Sequence, residues 1–299
     1  MSLASDRLLR RLEWQVVRKL DGRLQGANRT VWHGAGIDFT DLRTYTPEDD
    51  VRHIDWNVTA RMDETFVRQY TEERDLTAWL VLDRSASMAG GLGGGKESVL
   101  GDLAICLARL LSQNGNRVGA VFYDNHFQHV IRPKTGRTQA LRIAHELDRT
   151  AAAPAHEGKT RGTTTDLAAM LRTVATAARR RSLVFVLSDF IGEAGWERAL
   201  GQLAHRHEVV VVRLVDPAEL DLPDVGLVVV EDAETAEQIL VDTSDPLLRR
   251  RLAAEVDARE TALAEAMRQA RVTAHRITTD SDLLRALVEM VQDSHRRRP

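Results

Sequence analysis

One cysteine in 299 residues cannot close an intramolecular disulfide, so a framework of bridges as the source of stability is excluded. That residue, Cys106, lies in the apolar run Leu103, Ala104, Ile105, Cys106, Leu107. A reduced, buried thiol is therefore expected rather than a catalytic nucleophile. No window reaches the ~18 consecutive apolar residues that a membrane-spanning helix needs. The first twenty residues lack both the long apolar core and the small-residue cleavage site of a signal peptide, and a cytoplasmic location is expected. With a formal net charge of -3, the chain offers no overall electrostatic attraction for nucleic acid or an anionic membrane. Internal repeats and low-complexity stretches are also missing. What is present, 43% hydrophobic and 28% charged residues, is the balance of a soluble globular protein long enough to bury a substantial core.

Along the chain, Leu8, Leu9, Leu12 and Val16 share one face of an amphipathic pattern over 7–20, which predicts a helix packed on the body. Residues 22–36 read as a loop. The block 37–70 is dense in charge and aromatics and has neither a helical nor a strand period. From residue 76 the pattern changes, because 76–82 (LTAWLVL) is the short apolar run of a strand buried on both faces. Further strands are expected at 117–123, 127–131, 183–187, 208–215 and 272–277, with a hairpin at 227–230 and 238–241. Helices are expected at 96–113, 138–147, 166–179, 196–205, 246–271 and 282–291. This alternation predicts an α/β fold with an open, mostly parallel sheet and helices on both faces. The division is an N-terminal helix and signature segment over 1–73, an α/β domain over 74–292 and a basic tail over 293–299.

Open sheets bind ligands outside the carboxyl ends of their strands, near the point where strand order reverses. The loop after the first buried strand carries Asp83, Ser85 and Ser87 on alternate residues, one carboxylate and two hydroxyls that can face a single cavity. Such hard oxygen donors suit Mg2+, which keeps several waters in an octahedral shell. A second carboxylate, Asp189, ends the strand over 183–187. The threonine-rich turn Gly162, Thr163, Thr164, Thr165, Asp166 opens a helix between them. Taken alone, Asp-x-Ser-x-Ser is equally compatible with helix capping and turn chemistry.

Together these residues resemble the metal-ion-dependent adhesion site of von Willebrand factor A domains. The resemblance implies a metal set of Asp83, Ser85, Ser87, Thr165 and Asp189, with Thr163 and Thr164 as alternatives to Thr165. Ahead of the domain, Gly36, Ile37, Asp38, Phe39, Leu42, Arg43, Tyr45, Pro47, Asp49, Asp50, Arg52, Ile54, Asp55, Trp56, Ala60 and Arg61 resemble the signature of the Domain of Unknown Function 58 family. One departure is Pro47, Glu48, Asp49, Asp50, where many members have Pro-Gly-Asp-Asp. This second resemblance implies a bacterial protein with a von Willebrand factor A-like domain that works with a MoxR-type AAA+ ATPase. Its role would be that of an adaptor capturing an acidic residue of the ATPase or of a client through Mg2+, with Mn2+ and Ca2+ as alternative ions.

Other readings follow from the same residues. The signature block can be a packing segment, with Asp55, Trp56 and Arg61 in a buried network of ion pairing and stacking. Asp83 at the end of a parallel strand is also where aspartyl-phosphate enzymes place a nucleophile, so a magnesium-dependent phosphohydrolase is the alternative function. Those enzymes set an acid two residues later, where this chain has Ser85. The glycine run 90–95 before Lys96 has the wrong spacing for a phosphate loop and predicts a mobile loop or lid. His126, His129, His205 and His207 have no nearby acidic or cysteine cluster of zinc type and are expected on the surface or in loops.

Overall fold

The computed structural model describes residues 37–296 except 47–48, 50, 52–53, 63, 73–75, 90–94, 114, 125–127, 152–163, 222–223 and 232–237. The helix expected over 7–20, the loop over 22–36, most of the glycine run, Thr163 and the arginines of the tail beyond 296 lie outside the described residues.

In chain order the elements are β1 (Ile37–Thr44), α1 (Trp56–Thr59), β2 (Phe66–Glu72), β3 (Thr77–Asp83), α2 (Ala86–Ala89), α3 (Lys96–Gln113), β4 (Arg117–Tyr123) and β5 (Gln128–Lys134). They continue with α4 (Arg137–Ala151), α5 (Leu167–Ala177), β6 (Leu183–Ser188), α6 (Trp196–Arg206), β7 (Glu208–Val215) and α7 (Pro217–Leu220). The last are β8 (Leu227–Glu231), β9 (Gln238–Asp242), α8 (Pro246–Gln269), β10 (Thr273–Thr278) and α9 (Leu283–Arg296). The main sheet runs β10-β7-β6-β3-β4-β5, parallel throughout except for the antiparallel edge strand β5.

The alternation of side chains along β3 explains the three layers. Ala78, Leu80 and Leu82 join one buried cluster with Leu103 and Leu107 of α3, Ile143 of α4 and Leu287 of α9. Trp79 and Val81 point the other way, into a cluster with Leu171 of α5, Leu200 of α6 and Leu263 of α8. A strand covered on both faces has no polar side, which is why β3, β6 and β7 read as continuous apolar runs. Caps set the helix starts locally: Asp166 accepts from Ala169 N at 2.7 Å, and Asp245 accepts from Leu247 N at 2.8 Å just before Pro246.

Several expectations need correction. The block over 37–70 is not irregular, because β1 and β2 pair antiparallel into a separate two-stranded sheet with a bulge between Phe39 and Asp41. The bulge and the intervening polar turns break the period that a sequence reading relies on. The buried stacking network is absent from its center: Trp56 is 68% exposed. Asp55 is buried and caps α1, accepting from Asn57 N and Val58 N. His207 is also buried, not on the surface, and burial lowers its pKa, with Arg206 adding to the effect. The short helices α1, α2 and α7 fall where the sequence predicts none, since a single turn carries no period.

β8 and β9 pair as the expected hairpin, separate from the main sheet, with Leu227, Val229 and Leu240 exposed. Among the described residues no helix is long and apolar enough to cross a membrane. Cys106 is buried, and burial, followed by the nearby Asp102, pushes its thiol up to about 12.

Two measurements check this packing. Phe122, fully buried on the α3/α4 side of the sheet, leaves a cavity when truncated, so Phe122→Ala should lower stability by about 3–5 kcal/mol in denaturant titration. Because thiolate is the reactive form, native Cys106 should resist an aromatic disulfide reagent at pH 8 and react fully once the chain is unfolded.

Candidate metal-binding site

β3 and β6 are adjacent and parallel, with Leu82 paired to Leu187, so Asp83 and Asp189 emerge at the same carboxyl edge of the sheet. The chain leaves β3 for β4 on one side and places β6 on the other, so strand order reverses between them. Asp83 is fully buried and Asp189 is 1% exposed.

The Asp83 carboxylate is held by neutral donors. Ser85 N–H donates to Oδ1 at 3.0 Å and the Ser188 hydroxyl donates to Oδ2 at 2.5 Å. Ser85 Oγ and Ser87 Oγ lie 3.0 Å apart and are hydrogen-bonded to each other. Burial, and then the charge of Asp189, push the Asp83 carboxyl up to about 6, against the opposing hydrogen bonds from Ser188 and Ser85. Asp83 is therefore a buried acid whose described partners include no cation.

Asp189 is arranged differently. Ile191 N–H donates to Oδ1 at 3.0 Å, and Lys96 Nζ donates to Oδ2 at 2.8 Å. The same ammonium donates to Glu219 Oε1 at 2.6 Å. Lys96 is fully buried; burial by itself would lower its pKa, but the Asp189 and Glu219 carboxylates outweigh that and hold it above the usual lysine range. The backbone behind Asp189 is constrained, since Phe190 takes a left-handed φ of 57° and packs edge-on to Trp196 at 5.0 Å between ring centroids.

Thr165 is 2% exposed at the start of α5. Its carbonyl accepts from Glu193 N at 2.9 Å, which ties this turn to the loop carrying Asp189. A Cβ at Gly192 would meet that carbonyl at 2.4 Å, so the close approach of the two loops requires glycine there. The fold thus brings Asp83, Ser85, Ser87 and Asp189 to one edge and places Thr165 on the loop bonded to it.

As a donor set for Mg2+ these residues fit: they offer hard oxygens, and a buried carboxylate with no counter-ion among the described residues favours a cation. Among the described residues, no group of three or more His, Cys, Asp or Glu is arranged to hold a metal. Any ion at this edge therefore depends on the hydroxyls as well as on the carboxylates.

Lys96, Ser188 and Glu219 were missed as parts of this edge. In the sequence Lys96 stands out only as a lysine at the wrong spacing for a phosphate loop. Glu219 lies on the unanticipated turn α7, and nothing in its sequence context points to the site. Ser188 did carry a signal, a hydroxyl directly before the strand-ending Asp189.

A family model described as "Protein of unknown function DUF58" matches residues 41–262. The uncharacterized protein Rv1480 of Mycobacterium tuberculosis is 35% identical over 292 residues, covering 96% of this chain and 89% of its own. Among solved structures, the conserved hypothetical protein BatB from Bacteroides thetaiotaomicron superposes with a TM-score of 0.46 at 13% identity, over 74% of this chain and 99% of that one. The SpRpn10 VWA domain does so with a TM-score of 0.38 at 11% identity, over 72% and 94%. The α/β assignment stands on the strand order itself. From the span of the family match and the identity to the mycobacterial relative, the chain belongs to the DUF58 family.

Proposed function

We propose that this chain is a metal-dependent protein–protein interaction module that serves as adaptor to a MoxR-type AAA+ ATPase. Residues 74–292 form the docking domain and 1–73 the segment ahead of it. The observation that carries the reading is Asp83, a fully buried carboxylate beside a second one, followed by the buried, mutually hydrogen-bonded hydroxyls of Ser85 and Ser87, with no cation among its described partners. Asp83, Ser85, Ser87 and Thr165 would hold Mg2+, with Asp189 behind them. A bound Mg2+ supplies a positive field and an open position that a Glu or Asp of the partner completes. The MoxR partnership rests on the signature block, residue by residue, and not on the site.

Phosphohydrolysis at Asp83 has less support. An aspartyl-phosphate enzyme sets a second acid two residues after its nucleophile, and that position here is Ser85, whose N–H donates to Asp83 Oδ1. Turnover of an aryl phosphate with Mg2+, lost in Asp83→Asn, would favour that alternative.

Linkage makes the metal reading measurable. Without metal, the Asp83 value of about 6 lies above the usual 3.8, so this group favours the folded state when protonated, and its contribution is lost as pH rises through 6. Metal binding needs the ionised form, so the sign reverses when Mg2+ is present. At pH 7.5, Mg2+ at about a hundred times its Kd should add about 2.7 kcal/mol and raise Tm by several degrees. That rise should shrink steadily below pH 6 and be absent at all pH values in Asp83→Ala. A wild-type melting curve indifferent to Mg2+ at pH 7.5 would remove the metal from the account.

Partner capture provides the second test. Immobilised wild-type chain should retain a co-expressed MoxR-type ATPase in Mg2+ and release it in EDTA, while Asp83→Ala, folded by circular dichroism, should not retain it. Normal retention by that variant would sink the docking role of this edge.

A further inference from the structure

Lys96 is a costly residue where it stands. It is the first residue of α3, where the helix dipole disfavours a cation, and its side chain is fully buried. It is held there by Asp189 at 2.8 Å and Glu219 at 2.6 Å. With Ile191 N–H on Oδ1 and the ammonium on Oδ2, both oxygens of Asp189 already accept a strong donor. Asp83 has no such cation among the described residues.

We propose that Lys96 sets the ion preference of this site: by occupying Asp189 it keeps that carboxylate in the outer shell and selects Mg2+ over Ca2+. The proposal rests on the metal-dependent docking reading and adds to it a positioning residue, Lys96, with Glu219 as its anchor. The chemistry follows from the two ions. Mg2+ is small, octahedral and retains waters, so a site offering one direct carboxylate, hydroxyls and a second carboxylate to accept from a bound water satisfies it. Ca2+ takes 6–8 oxygens and favours direct, often bidentate carboxylates, which an Asp189 tied to an ammonium does not supply.

The test separates positioning from simple charge. Through space, both ions carry the same charge, so removing a nearby charge alters their affinities in equal proportion. Freeing Asp189 to ligate directly alters their ratio. Calorimetric titration of the metal-free full chain with MgCl2 and with CaCl2 should find Mg2+ bound more tightly. In Lys96→Met both affinities should rise, and the Ca2+ to Mg2+ ratio should climb on the order of tenfold as one more direct carboxylate becomes available. In Glu219→Gln both affinities should fall together with the ratio little changed. Water counting on bound Mn2+ by pulsed electron paramagnetic resonance should show one water fewer in Lys96→Met than in wild type.

An unchanged ratio and water count in a folded Lys96→Met would overturn the proposal. If that variant does not fold, wild-type binding of Ca2+ as tight as that of Mg2+ would overturn it equally. Failure of wild type to bind either ion is a different result, since it removes the docking reading itself.

Discussion

Two carboxylates buried side by side at the ends of neighbouring strands are the constraint on which the rest of this edge depends. Each is costly to bury, and each makes the other costlier. The chain meets the cost in two different ways. Asp83 receives the Ser188 hydroxyl and the Ser85 amide, partners that solvate a charge without neutralising it. Asp189 receives a full positive charge from Lys96. The asymmetry leaves Asp83 as the place where a further cation lowers the free energy.

Such an arrangement requires a frame that does not relax around it. The frame is the central pair of parallel strands, whose side chains fill two separate clusters and allow neither strand to slide. Cores packed at crystal-like density transmit position from one end of a strand to the other. The loops beyond the strand ends are fixed by more local means. Phe190 accepts a left-handed backbone so that Asp189 can turn back toward α3, and the absence of a side chain at Gly192 lets the Asp189 loop reach the Thr165 carbonyl. A strained residue held by an aromatic contact is what a site under geometric demand is expected to contain.

The sheet was legible because buried parallel strands cannot hide. LTAWLVL and EVVVVRLV have no polar alternation, and each was placed to within a residue or two of β3 and β7. Asp83, Ser85 and Ser87 are legible for the same reason, since they follow LTAWLVL, and Asp189 likewise follows the buried run of β6, LVFVL, one residue on. Lys96 and Glu219 were not, because contacts across 93 and 123 positions leave no local spacing to read. The antiparallel pair β1 and β2 was obscured by a bulge and by a charged composition that suggested a network instead of strands. His207 was misjudged because its neighbours His205 and Arg206 are polar, whereas its own side chain turns inward at the start of β7.

If this edge holds a divalent ion, charge balance connects Lys96 to docking as well as to metal choice. Asp83, Asp189 and Glu219 bring three negative charges to one edge, more than a single divalent ion neutralises. A metal-loaded site made of those acids alone would keep a net negative charge and repel an incoming carboxylate. Lys96 supplies the missing positive charge from within the fold. With it, these three acids, the lysine and a divalent ion would sum to zero, and the partly exposed Glu219 is screened more than the two buried acids. The incoming carboxylate then meets the field of the ion rather than that of the ligands. On the proposed reading, a buried lysine that looks like a rival to the metal would be what makes a metal at Asp83 compatible with an acidic partner.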